Sequence, residues 1–267
     1  MSNNRLLPLS GYEPIFDPRD YSIIGFNCYD YAIGYQDKRN NKKPHNNKST
    51  PGGPNFRNNV TRCAGLNKGI LKDNPNAIKR CSNPNKVCGR GYYKIMSFVS
   101  PGNDFHFYRQ VQTVRYKIAA GNTVTGLARY FKVSPSVIRA AARKLKTPTN
   151  LVNGNINSNS NLSNIAQAKN ARKTNTNNTW KNNNNRKNNT NNTNNNRTVL
   201  VPGKIIEFKC NLWAHKQGWG TRPLLVDASG KTIADPRRAN RNYGRLNYSN
   251  LCGVFCVRAG KAKSGNA

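Results

Sequence analysis

Residues 116–145 read YKIAAGNTVTGLARYFKVSPSVIRAAARKL. Tyr116 to Ala119 have the character of a short strand. Gly121, Asn122 and Thr123 then make a turn that ends in a helix N-cap, because a Thr hydroxyl accepts from the unpaired N–H groups of a first helical turn. From there Val124, Leu127, Ala128 and Phe131 recur at i, i+3, i+4 and i+7, which gathers them on one helical face. Val133 and Ser134 break the repeat. Ser134 is a second N-cap, and Pro135 takes the first helical position, where its missing N–H costs nothing. Val137, Ile138, Ala141, Ala142 and Leu145 form the next apolar face. The stretch predicts strand, helix, turn, helix, and VLVPGKIIEF at residues 199–208 supplies a closing strand.

Between the second helix and that strand lie residues 150–197, dominated by Asn in runs such as KNNNNRKNNTNNTNNNR. A segment so poor in apolar side chains cannot offset the entropy of ordering its backbone, so it reads as a disordered insert. A lesser polar run at residues 37–59 reads as a long surface loop.

The strand, Gly-Asn-Thr-Val turn, two helices, Val-Ser hinge and closing strand after Pro-Gly resemble the LysM module. The likeness covers residues 114–149 and 198–208. It departs from the family in Asn122, where Asp is usual, and in the long insert before the last strand. The resemblance implies a small βααβ domain in which Gly121, Asn122, Thr123 and Val124 line a groove for an N-acetylglucosamine-containing polysaccharide, chitin or peptidoglycan. Backbone groups would meet the acetamide. A LysM-shaped spacer without a ligand is the alternative, since fold does not dictate function.

Outside this unit, GYYKIMSFVSPGNDFHFYRQ at residues 91–110 reads as two strands around a Pro-Gly turn. Phe105 and Phe107 alternate with His106 and Tyr108, and in NLWAHKQGWG Leu212 and Ala214 alternate with Trp213 and His215. Removing what lies between brings the two histidines onto one face of a hairpin. Upstream, GFNCYDYAIGY places Cys28 at the start of a short helix with Tyr31, Ala32 and Tyr35 on its inward face. A thiol there has its thiolate favoured by unpaired N–H groups and the helix dipole.

Helix-borne Cys, strand-borne His and a third polar residue on the next strand look like the papain-like superfamily that contains NlpC/P60 and CHAP amidases. The resemblance implies an α+β outer domain, residues 1–110 and 211–257, followed by a flexible tail at 258–267. It makes Cys28 the nucleophile, His106 its general base and His215 the orienting group. The plainer reading is a packed cysteine and two structural histidines.

Lys and Arg number 44 against 10 Asp and Glu, a net charge of +34. Such a chain needs a polyanion nearby, whether nucleic acid, acidic glycan or anionic wall polymer. No helix-turn-helix, zinc-finger or RNA-recognition motif sharpens the choice. Seven cysteines permit three disulfides and one free thiol, with Cys28 a candidate for the latter. Zinc at Cys63, Cys81 and Cys88 lacks the paired CxxC spacing, so neither metal nor cofactor is expected. No apolar run of about 18 residues spans a membrane, and no h-region marks secretion. Basicity, Asn-rich inserts and this domain pairing resemble proteins of large amoeba-infecting DNA viruses of the mimivirus type, which implies a virion location. The expected function is a glycan-binding, virion-associated basic protein with a cysteine amidase or peptidase site. The alternative is a non-specific nucleic-acid-binding virion protein with a non-catalytic outer domain.

Overall fold

The computed structural model describes residues 6–20, 24–35, 49–53, 55, 59–145 and 198–263. The Asn-rich stretch, most of the polar run at 37–59 and the last four residues lie outside these. The described residues form a mixed α/β fold with a seven-stranded sheet and four helices. In chain order the elements are β1 (Ile15–Phe16), α1 (Cys28–Ile33), α2 (Cys63–Asp73), β2 (Ile78–Arg80), β3 (Tyr92–Ser100), β4 (Asp104–Lys117), α3 (Val124–Tyr130), α4 (Pro135–Arg143), β5 (Ile205–Lys216), β6 (Pro223–Leu224) and β7 (Asn250–Arg258). The hydrogen-bonded order is β2-β7-β3-β4-β5-β6, antiparallel throughout, and β1 pairs parallel with the far end of β4.

Alternation along β3, β4 and β5 gives the sheet two faces of different cover. Phe105, Phe107, Ile95, Val99 and Phe255 point to the side of α1 and α2. Further along, Val111, Val114, Leu212 and Ala214 pack with Leu127, Ala128, Phe131 and Ile138 of α3 and α4. The opposite face carries Met96, Phe98, Tyr108, Trp213 and Val254, covered by Leu7 and by Ile233 and Tyr248 of the segment after β6. Burial on both faces is why the middle of β3 and β4 reads as a continuous apolar and aromatic run.

The expected junctions between outer and inner domains, 110/114 and 208/211, fall inside β4 and β5, which run through them with only a bulge between Val111 and Thr113. The α3–α4 pair therefore shares one core with the sheet. Its local design is as read: the Thr123 hydroxyl accepts from Gly126 N at 3.0 Å, and Pro135 opens α4. Ser134 precedes α4 but bonds to the Ser136 hydroxyl and leaves the helix N–H groups alone.

Three expectations are corrected. Residues 49–53, placed in a surface loop, are buried against α2: the Gly52 amide donates to Asp73, and a Cβ on Gly69 would lie only 2.3 Å from the Pro51 carbonyl oxygen. Of the expected tail, the described residues 258–263 are tied down through Lys263, whose N–H and C=O are both bound by the Asn74 side chain. Three disulfides are reduced to two, Cys63–Cys252 and Cys88–Cys256, with Cys28, Cys81 and Cys210 free. Both bridges end on β7. No group of metal-ligating side chains assembles among the described residues, nor is any described helix long and apolar enough to cross a membrane.

Candidate active site

The helix that carries Cys28 is short but firmly closed at both ends. The Asn27 side chain accepts from Tyr29 N and Asp30 N, while its amide donates to the Ser49 carbonyl, and Gly34 ends the helix in the left-handed region. This fixes Cys28 as the first helical residue, buried, with its thiol donating to the Phe105 carbonyl at 3.8 Å. The Phe107 N–H also favours the thiolate there.

Phe105 O and Phe107 N project from the same edge of β4, since alternate residues of a strand share an edge. β3 occupies the other edge from Asp104 to Arg109. The thiol therefore sits on the β5 edge. There the β4·β5 ladder stops at the Tyr108–His215 pair, and the sulfur stands in the notch beyond it.

His106 lies between the two residues whose main chain touches the sulfur. Its imidazole faces the side opposite α1, stacked on Tyr248 at 4.8 Å and edge-on to Tyr108. His106 Nε2 and His215 Nδ1 are 2.8 Å apart, and His215 Nε2 is 2.8 Å from the Val226 carbonyl. These contacts determine the neutral tautomers. Val226 O can only accept, so His215 Nε2 carries the proton; His215 Nδ1 then accepts, and His106 Nε2 donates to it. The remaining nitrogen, His106 Nδ1, holds a lone pair with no protein partner among the described residues.

Burial keeps the pair neutral. It drives His106 well below the usual imidazole range, with His215 adding to the effect, and lowers His215 to about 4 against the opposing Val226 bond and Asp227 charge. For Cys28, burial and then the Asp104 carboxylate push the thiol up. The helix-start effect expected to ionise the thiol is thus overcome by desolvation. Tyr248 donates to Asp104 at 2.9 Å, linking the segment over the sheet to the start of β4.

His106 and His215 are brought together at one end of the β4·β5 ladder, while the Cys28 thiol reaches the β4 main chain from the α1 side and bonds to the Phe105 carbonyl, not to a ring nitrogen. The second predicted set is used differently. Asn122 is buried, its side-chain oxygen accepts from Ala119 N and Tyr116 Oη, and its carbonyl accepts from Leu200 N. Thr123 caps α3, and Val124 N donates to Thr198 O. Of that set, Gly121 is the exposed member, at φ +77°.

Asp104, Lys216 and Tyr248 were not singled out from sequence. Lys216 follows His215 directly, and strand parity would have placed it beside Cys28 once the end of β5 was known. No family model matches the chain, and no curated protein or solved structure matches it.

Proposed function

We propose that the protein is a thiol-dependent amide hydrolase of papain-like layout, with Cys28 as nucleophile, His106 as general base and acid, and His215 orienting His106. The observation that carries this is the 2.8 Å His106–His215 bond, whose fixed tautomer leaves His106 Nδ1 as a lone-pair acceptor on the residue flanked by Phe105 and Phe107, whose main chain meets the thiol. On substrate entry His106 Nδ1 takes the thiol proton and the sulfur attacks the amide carbonyl carbon. As the C–N bond breaks, the imidazolium returns that proton to the departing amine, leaving a thioester. Water, deprotonated by the same nitrogen, opens the thioester and restores the thiol. Because burial favours the neutral thiol, proton transfer and attack are coupled to substrate displacing the Phe105 carbonyl contact.

The test is acyl trapping on the full oxidised chain. A panel of peptide anilides is offered at neutral pH, quenched in acid and digested for mass spectrometry. An acyl mass on the Cys28 peptide, lost in His106→Ala, is expected. No adduct with any substrate, together with Cys28 no more reactive than Cys81, would overturn the proposal.

A second reading follows from charge. Arg129, Lys132, Arg139, Arg143 and Lys144 of the α3–α4 unit are all exposed, and no acidic residue lies between Asp104 and Glu207 in the chain. We infer that this helical pair binds a polyanion, a nucleic acid or an anionic surface polymer such as a virion offers. The LysM-like attachment to an N-acetylglucosamine-containing polymer stays a proposal with less support, since Asn122, Thr123 and Val124 spend their polar groups on the turn itself.

A further inference from the structure

Lys216 ends β5 with its side chain fully enclosed. Burying an ammonium is costly unless protein groups replace its water. Nζ donates to the Ile24 carbonyl at 3.2 Å and to the Gly218 carbonyl. Those are two of its three N–H groups; among the described residues the third has no acceptor and no carboxylate lies within ion-pair distance. Both carbonyls belong to segments that frame the thiol, since Ile24 leads into α1 and Gly218 opens the loop after β5. Gly220 N donates to the same Ile24 carbonyl, and Thr221 Oγ1 to Gly218 O, so the cradle is held from several sides.

The thiol stands where the β4·β5 ladder would continue, beside the strand end that Lys216 forms. Charged and titratable groups that act on the sulfur are Asp104 of β4, Asp30 of α1, Lys216 of β5 and Tyr248 of the covering segment, while the His106 ring lies on the other face of β4. Of these side chains, Lys216 is the one whose charge favours the thiolate, and both carboxylates oppose it. We propose that Lys216 is a positioning cation for Cys28, held at the end of β5 so that its positive charge draws the thiol proton onto His106. This rests on the hydrolase reading above. It answers a need that reading creates, because a buried thiol beside two carboxylates does not ionise without a compensating charge.

The ammonium is lowered by burial to about 8, so it is still charged at neutral pH and discharges just above it. The experiment measures the rate at which Cys28 is alkylated by iodoacetamide between pH 6 and 10 in the full oxidised chain, resolved by peptide mass spectrometry. In the wild type, the logarithm of the rate is expected to rise with pH and then flatten above about 8, as loss of the ammonium offsets gain of thiolate. Lys216→Met should slow alkylation at pH 7 by about tenfold and remove the flattening, and Lys216→Arg, which keeps the charge, should recover part of the rate. His106→Ala is run alongside. If Lys216→Met superimposes on the wild type while His106→Ala slows the reaction, the lysine inference falls and the hydrolase reading stands. If neither substitution changes the profile, both fall. Should Lys216→Met fail to fold, the wild-type profile decides, because unit slope through pH 10 overturns the proposal without any variant.

Discussion

Acid should destabilise this protein through one buried hydrogen bond. His215 is wholly enclosed, and its imidazole is lowered from 6.5 to about 4. Between those values the unfolded chain holds a proton that the folded chain refuses, so stability falls as pH falls and levels off below about 4. A shift of this size corresponds to about 3 kcal/mol in full, of which about 2 kcal/mol is lost between pH 7 and 5. His106 shifts in the same direction and adds to the loss. The third histidine of the chain, His45, lies outside the described residues. The assay is guanidinium unfolding of the oxidised protein at pH 7, 6 and 5, compared with His215→Gln, which cannot titrate. The wild type should lose about 2 kcal/mol or more across that range, and the variant clearly less. Equal pH slopes in the two proteins, or a flat wild-type profile, would show that the pair is not held neutral by burial, and the tautomer assignment built on it would fail.

Two further outcomes are expected. With Cys88–Cys256 intact, Cys63–Cys252 closes a ring of about 30 residues through the other bridge, so replacing both Cys63 and Cys252 by Ala should cost about 3 to 4 kcal/mol in denaturant unfolding; a loss below about 1 kcal/mol would contradict a constrained unfolded chain. Duplex DNA affinity, measured by fluorescence anisotropy, should fall about 500-fold between 50 and 200 mM salt if five phosphates meet the α3–α4 cations. Alanine at Arg129, Lys132, Arg139, Arg143 and Lys144 should flatten that dependence, and a wild-type affinity indifferent to salt would rule out the electrostatic reading.

Local periodicity was enough to place much of this chain. Period-two alternation put Phe105 and Phe107 on one face and His106 and Tyr108 on the other, and the same rule aligned Leu212 with Ala214 and Trp213 with His215. The spacing of Val124, Leu127, Ala128 and Phe131, with Thr123 as cap, defined α3 because a helix start depends on residues within one turn. The meeting of His106 and His215 on one sheet face could be anticipated in the same way. Sequence alone did not reveal that β4 and β5 continue through the expected domain junction, that α2 receives residues 49–53 against Gly69, or that Cys63 and Cys88 find Cys252 and Cys256. Nor did it show that the thiol bonds to main chain, or that Lys216 is sealed beside it. Those features depend on segments far apart in the chain arriving together. A charge's ionisation is set by the water it loses and the groups that replace that water, and only the packed tertiary structure decides either.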